Sequence, residues 1–337
     1  MNDPILLIEG LRAEFPTPDG VVKAVNGVSL SLQRGRTLVI TGESGSGKST
    51  VGLSVLNLVP SPGRITNGRV LFQGRDLLTL QVEDLRRVRG REIAIVFQDA
   101  STSLNPVLSV GQQVEEIITT HQDLSRREAR ARTLEVLGKI GLPQPEEVVK
   151  RYPFQLSGGM AQRVMIAIAT ALNPEVLILD EPTSALDVTI QAAIIDDLRR
   201  LQQQNGTSII LITHDLGLVA QMADDVAVMY AGSIVEYADV RSLFARPRHP
   251  YTWSLLGSRP RLDHDEPVAL TVIKGTPPSL IDLPDECPFL PRCPKAISEC
   301  RLEAMPPLST IEGGGHLAAC YNPIYQETAI PQTVGEG

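Results

Sequence analysis

Residues 42–49 read Gly-Glu-Ser-Gly-Ser-Gly-Lys-Ser and fit the pattern G-x-x-x-x-G-K-[ST] at every fixed position. Glycine is needed at Gly42, Gly45 and Gly47 if the backbone is to curl around phosphate oxygens, because a side chain would fill the anion's space. The N–H groups from Ser44 and Ser46 through Thr50 are then expected to cradle phosphates, Lys48 to reach the β and γ oxygens, and the Ser49 hydroxyl to ligate Mg²⁺. The plainer reading is a Gly/Ser turn with a surface lysine. The rest of the chain decides between them.

Other residues offer chemistry that a bound triphosphate needs. The apolar run 176–179 ends in Asp180 and Glu181. Neighbours on a strand point to opposite sides, so Asp180 is expected to face the Mg²⁺ and Glu181 a water in line with the γ-phosphate. Gln98 follows the apolar run 93–97, and its amide can bridge a metal-bound water and a neighbouring loop. His214 follows the run 208–213, at what would be the carboxyl edge of a parallel sheet, where α/β proteins place ligand sites. Ser157, Gly158, Gly159 and Met160 open an apolar helix and form a second anion-binding device, with N–H groups and the positive end of the helix dipole aimed at one point. Phe15, in the turn-rich stretch 15–20, is a candidate platform for an adenine ring. Taken singly, each has a plainer reading: a polar strand end, a surface glutamine, a structural histidine, an ordinary cap at Ser157, a core aromatic.

The elements that must position these groups alternate strand and helix. Runs 5–11 and 25–32 suit strands leading to the phosphate loop, 37–40 the strand entering it and 50–58 the helix leaving it. Residues 82–89 are a charged helical stretch. Residues 109–150 are largely helical, the run 126–132 being a solvated face. An amphipathic helix is expected over 190–203. With 337 residues the chain is long enough for two domains, or one α/β domain with an appendage. Its net charge of −8, without a long basic run, argues against a nucleic-acid footprint. No window approaches 18 consecutive apolar residues, and the start lacks a basic region followed by an apolar one. The expectation is a chain that neither spans a membrane nor carries a secretion signal. The 4 cysteines fall between Cys287 and Cys320, which is no general disulfide framework, and a reducing compartment is the simpler reading.

As an ordered set the motifs resemble the ATP-binding subunits of ABC transporters. Residues 42–49 look like Walker A, Gln98 the Q-loop, residues 156–160 the ABC signature, 176–181 Walker B, 184–187 the D-loop and His214 the switch histidine. The resemblance implies a P-loop ABC ATPase domain over residues 1–240, with a RecA-like core, an antiparallel β subdomain and an α-helical subdomain at about 100–165. It implies hydrolysis of ATP with Mg²⁺, catalysis through Glu181, His214 and Gln98, and metal ligation by Ser49, Gln98 and Asp180. It also accounts for the second anion device. In this family two subunits dimerise head to tail, so Ser157, Gly158, Gly159 and Met160 would bind the partner subunit's ATP. Met160 stands where glutamine is common, and Ala100 where proline is frequent.

Beyond Tyr237 prolines become dense. His249-Pro250-Tyr251-Thr252, Gly275-Thr276-Pro277-Pro278 and the segment 287–294, Cys-Pro-Phe-Leu-Pro-Arg-Cys-Pro, resemble the C-terminal region of oligopeptide/dipeptide ATP-binding subunits, as does the loop 102–106. The expected layout is a small Pro-rich Cys₄ domain over 241–323 and a flexible tail over 324–337. Cys287, Cys293, Cys300 and Cys320 are spaced C-x5-C-x6-C-x19-C. Zinc sites usually contain C-x2-C pairs, whereas wider loops leave room for a bulkier cluster, and similar tails in this family carry a [4Fe-4S] cluster. Zn²⁺, or free or disulfide-linked thiols, are the alternatives. The resemblance further implies a second ABC ATPase subunit, identical or paralogous, two transmembrane permease subunits, and an extracytoplasmic solute-binding protein acting indirectly. It places the chain peripherally on the cytoplasmic face of the inner membrane. The expected function is import of di- or oligopeptides. The alternatives are nickel or sugar import and, from a different class, a soluble ABC ATPase acting on nucleic acid.

Overall fold

A long hairpin opens the chain in the computed structural model, which describes residues 3–184, 186–258, 273–312 and 315–325. Its arms are β1 (Leu6–Thr17) and β2 (Gly20–Leu32). Then come β3 (Thr37–Thr41), α1 (Lys48–Val55), β4 (Arg64–Phe72), β5 (Arg75–Asp76), α2 (Val82–Val88) and β6 (Ile93–Val96). A helical stretch follows: α3 (Ala100–Ser103), α4 (Val110–His121), α5 (Arg126–Lys139), α6 (Pro145–Val148) and α7 (Gly158–Thr170). Next are β7 (Val176–Asp180), α8 (Val188–Asn205), β8 (Ser208–Ile212), α9 (Leu216–Met222), β9 (Asp225–Tyr230) and β10 (Ser233–Asp239). The chain closes with α10 (Val240–Ala245), α11 (Pro250–Gly257), α12 (Glu299–Leu302), β11 (Ser309–Glu312) and β12 (His316–Ala318).

These elements form two compact units. The first comprises Met1–Leu6, Ser31–Thr37 and Leu71–Thr213, the second Leu7–Leu30, Leu38–Val70 and His214–Gly337. In the first, β6, β7 and β8 pair in parallel, with Val96 opposite Leu179 and Asp180 opposite Ile212. Every residue of β7 and β8 is buried, which is why both read as unbroken apolar runs. Helices α4 and α5 each start in a capping box, Ser109 with Gln112 and Ser125 with Glu128, so their first N–H groups are satisfied. Asp187 caps α8, and Gly206 ends it in the left-handed conformation.

In the second unit β3 lies parallel to β9, β10 pairs antiparallel to β9, and β12 and β11 extend the same sheet beyond β10. The Pro-rich C-terminal region thus returns to the sheet, with Tyr237 of β10 opposite Leu317 of β12. Beside it β2, β1 and β4 lie next to one another. Both hairpin arms outrun expectation. Residues 15–17 belong to β1, and the turn is confined to Pro18 and Asp19, closed by the Thr17 hydroxyl donating to the Gly20 carbonyl at 2.8 Å. Residues 100–103 form α3, so the first two positions of the expected loop 102–106 are helical, with the Asp99 carbonyl accepting from the Ser103 hydroxyl at 2.6 Å. Ile324, expected to begin a frayed tail, is buried, and its N–H donates to the Arg248 carbonyl at 2.9 Å. The rest of that expected tail, from residue 326, lies outside the described residues.

Candidate active site

The phosphate loop is built between buried β3 and the start of α1. Gly42, Gly45 and Gly47 have φ of 148°, 77° and 100°. Two of them have no room for a side chain: a Cβ on Gly42 would lie 2.0 Å from the Met229 carbonyl oxygen, and one on Gly47 2.0 Å from that of Ala24. The loop is thus seated on β9 and β2 backbone, with its rim, Ser44 and Gly45, exposed. Ser46 and Lys48 are buried, and Ser49 and Thr50 sit half-buried in the first turn of α1. Lys48 folds over the loop, donating from Nζ to the carbonyls of Gly42 at 2.9 Å and Glu43 at 2.8 Å. An ammonium held by weakly negative carbonyls in a glycine-lined hollow can transfer to a phosphate's full charge.

Phe15 is a strand residue rather than a loop residue. Its ring lies against Gly63, where an added Cβ would fall 2.4 Å from Cε1. The ring is half-buried.

In the first unit the carboxyl edge of the parallel sheet gathers Gln98, Asp180 and Glu181. Gln98 is exposed two residues past β6, and Asp180, 8% exposed, ends the adjacent β7. Strand alternation, on which the expected roles of the two carboxylates rested, does not extend to Glu181. The strand stops at Asp180, and Glu181 adopts φ 47°. Its N–H donates to the Ile212 carbonyl at 2.9 Å, while its carbonyl accepts from the Ser184 N–H at 3.2 Å and hydroxyl at 3.0 Å. The turn, not the pleat, sets its direction. Holding a non-glycine residue there costs about 1–3 kcal/mol, a kind of strain that clusters at functional sites. His214 is exposed two residues beyond β8.

Ser157 caps α7 and accepts from the Met160 N–H at 3.4 Å. Ser157 and Gly158 are exposed, Met160 is half-buried, and Gly159 is buried where a Cβ would come within 2.7 Å of Ile190 Cγ2. Gly159 lets the start of α7 seat against α8, while Ser157 and Gly158 stay exposed.

The His-Pro-Tyr segment is a buried anchor. Glu236 of β10, 0% exposed, accepts the N–H groups of Arg248 at 2.7 Å and His249 at 2.8 Å and pairs with His316 Nε2 at 2.7 Å. His249 caps α11 through Nδ1, which accepts the Tyr251 N–H at 3.1 Å, leaving the ring proton on Nε2. Burial drives the His249 pKa down to about 3. Beside it Cys287, Cys293, Cys300 and Cys320 line one cleft with about 350 Å³ of empty space, open solvent included. Burial pushes the Cys287 thiol up to about 11 and that of Cys320 to about 12. Among the described residues no three His, Cys, Asp or Glu side chains are placed to hold a metal ion, so the expected cysteine metal centre is not preformed.

Sequence reasoning passed over Glu43, Tyr251 and Arg292 as partners. A carboxylate inside a phosphate loop was the one available signal, since such a charge calls for a cation nearby.

The ABC transporter family model matches residues 25–184, and that of the oligopeptide/dipeptide transporter C-terminal region matches residues 235–300. The dipeptide transport ATP-binding protein DppD of Bacillus subtilis is 46% identical over 320 residues, covering 95% of either chain. The oligopeptide transport ATP-binding protein OppD of Escherichia coli is 45% identical over 322 residues, 96% of this chain and 94% of its own. Among solved structures, the dimeric bacterial ABC transporter cassette MJ0796 aligns with a TM-score of 0.64 at 29% identity, over 70% of this chain and 99% of its own. MJ0796 has the same TM-score in a dimeric post-hydrolysis state bound to ADP and Pi. With a phosphate loop and carboxylate edge built as described, and both family regions matched in order, the chain belongs to the ATP-binding subunits of oligopeptide/dipeptide ABC transporters.

Proposed function

We propose that this chain hydrolyses ATP to energise import of dipeptides or oligopeptides, as a nucleotide-binding subunit of an ABC transporter. The observation that carries the reading is the glycine-lined loop with Lys48 folded over it. The cargo class rests on the dipeptide and oligopeptide transport relatives and on the matching C-terminal region.

The N–H groups from Ser44 to Thr50 hold the phosphates, Lys48 moves from its carbonyls to the β and γ oxygens, and Phe15 is the proposed base platform. Ser49, Asp180 and Gln98 would hold Mg²⁺, which when bound neutralises charge building on the β and γ oxygens. Glu181 takes a proton from the water that attacks the γ-phosphorus; the bond to the β-γ bridging oxygen breaks, giving ADP and phosphate. His214 contacts the γ-phosphate and reports its loss. The exposure of Ser157 and Gly158 supports giving Ser157, Gly158, Gly159 and Met160 the ATP of a second subunit, another copy or a paralogue. ATP then closes the pair by supplying contacts on both sides, and hydrolysis withdraws them.

The α-helical insert, about residues 100–165 of an ATPase domain spanning 1–240, is where permease subunits would dock. Val107 and Phe154, each 75% exposed, support an apolar contact there. No helix among the described residues is long and apolar enough to cross a membrane. A peripheral place on the cytoplasmic face, beside two permeases and fed by an extracytoplasmic binding protein, fits the family. In the C-terminal region, residues 241–323, the family resemblance gives a [4Fe-4S] cluster to Cys287, Cys293, Cys300 and Cys320, which line one cleft and would have to draw together to hold it. Such a cluster staples a segment with little core of its own.

Mg²⁺-dependent phosphate release by the purified chain tests the reading. Lys48→Ala is expected to lose ATP binding or turnover. Turnover unchanged in that variant would refute the assignment of the loop.

A further inference from the structure

We infer that Arg292 is a positioning residue for ATP binding: from the cysteine-bearing turn it grips Glu43, the second residue of the phosphate loop, and together with Tyr251 fixes the backbone on which Lys48 rests. This goes beyond the reading of residues 42–49 as the ATP site and depends on it.

The geometry is specific. Arg292 Nη1 donates to Glu43 Oε2 at 2.7 Å and Nη2 to Oε1 at 3.1 Å, a two-pronged pairing. Nη1 also reaches the Tyr230 hydroxyl at 3.1 Å, and Nε donates to the Lys274 carbonyl at 3.1 Å. The side chains of Arg292 and Glu43 are 6% and 22% exposed, so solvent and salt screen the pair weakly.

Glu43 is held at its backbone as well. Its N–H donates to the Tyr251 hydroxyl at 2.8 Å, and its carbonyl accepts Lys48 Nζ at 2.8 Å. Tyr251, fully buried, packs on Tyr230 with ring centroids 4.6 Å apart and on Phe289 at 5.4 Å. Arg292 lies over the Tyr230 ring, 5.9 Å from its centroid. One loop residue is thus tied by its carboxylate to the cysteine turn, by its N–H to α11 and by its carbonyl to Lys48.

Two physical effects follow. A carboxylate in a loop meant for a polyanion repels that anion unless a cation cancels it, and Arg292 supplies the cation. Released from Arg292, the Glu43 carboxylate would also compete with the phosphates for Lys48. Arg292 therefore acts on ATP through Glu43, without touching it.

The test is titration of the full-length chain with a fluorescent ATP analogue and Mg²⁺, with thermal unfolding followed in parallel. Arg292→Met is expected to raise Kd about tenfold in the natural background and less than about twofold once Glu43→Gln is present, because coupled residues are not additive. A purely structural role would instead give the same Kd increase in both backgrounds. Arg292→Lys keeps the charge and loses the fork, so a rise of about threefold is expected, and this variant serves if Arg292→Met cannot be recovered. Kd within about twofold of wild type for Arg292→Met, wild-type Kd for Arg292→Lys, or an equal effect of Arg292→Met with and without Glu43→Gln would overturn the inference. Failure of the unmutated chain to bind the analogue would remove the ATP-site reading beneath it, and is seen before any variant is made.

Discussion

Gly47→Ala tests the seating of the phosphate loop with a single methyl group. At φ 100° an alanine is strained by about 1–3 kcal/mol. The new Cβ would also stand 2.0 Å from the Ala24 carbonyl oxygen and 2.9 Å from Met229 Cε. The methionine methyl can swing aside, but Ala24 belongs to β2 and is held by its strand neighbours. Overpacking of this kind costs a further amount of about 1–3 kcal/mol. The sum, about 2–6 kcal/mol, is relieved by lifting the loop off β2, which displaces the N–H groups that face the phosphates. Even the lower figure corresponds to about a thirtyfold rise in the Kd for ATP. Gly10→Ala is the control: its φ of 56° is also left-handed, but nothing lies within 4 Å of the added Cβ. It should lower stability by about 1 kcal/mol and leave ATP affinity alone. Equilibrium titration of both variants with an ATP analogue, alongside denaturant unfolding, separates the effects. Unaltered ATP affinity in Gly47→Ala, with only its stability reduced, would refute the argument that this turn exists to present N–H groups to phosphate.

Further outcomes follow from the same structure. Glu181→Gln keeps the side-chain volume but removes the base, so it should bind ATP, accumulate as closed dimer on gel filtration and turn over at least about a hundredfold more slowly; normal turnover would remove Glu181 from the chemistry. His249 titrates near 3 when folded, against about 6.5 in an unfolded chain, so the unfolded state binds the extra proton between those values. Its contribution to stability is therefore complete above pH 6.5 and declines as pH falls toward 3, by up to about 1.4 kcal/mol per unit. Denaturant midpoints from pH 7 to 5 should fall less steeply for His249→Asn, whose amide can still cap α11, and parallel slopes would contradict this. Protein purified without oxygen should contain iron and acid-labile sulfide bound through the four cysteines; stoichiometric zinc alone would exclude the cluster.

Much of the site was legible because its residues are local. Phosphate loop, signature and acidic strand end each occupy fewer than about ten consecutive positions, and their strands announce themselves as apolar runs. What escaped reading depends on long-range contact or backbone detail. Pro16 and Pro18 made residues 15–20 look like a loop, yet pairing carries β1 through Thr17, Pro16 being tolerated at its exposed end. Alternation could not place Glu181, because the strand ends one residue before it. β12 has three residues, too few for any pattern, and is defined by its partner β10. Arg292 and Glu43 lie 249 positions apart, beyond any spacing rule. The burial of Ile324 depends likewise on Arg248, far upstream.

ATP hydrolysis by this chain energises peptide import. ATPase activity of the chain co-purified with its native permeases and binding protein, with di- and oligopeptides, nickel or sugars added in turn, puts that coupling to the test. Stimulation by peptides, absent with nickel and sugars and abolished by Glu181→Gln, is the predicted result. Stimulation by nickel or a sugar alone, or ATPase activity that answers instead to nucleic acid with no permease recovered, would contradict it.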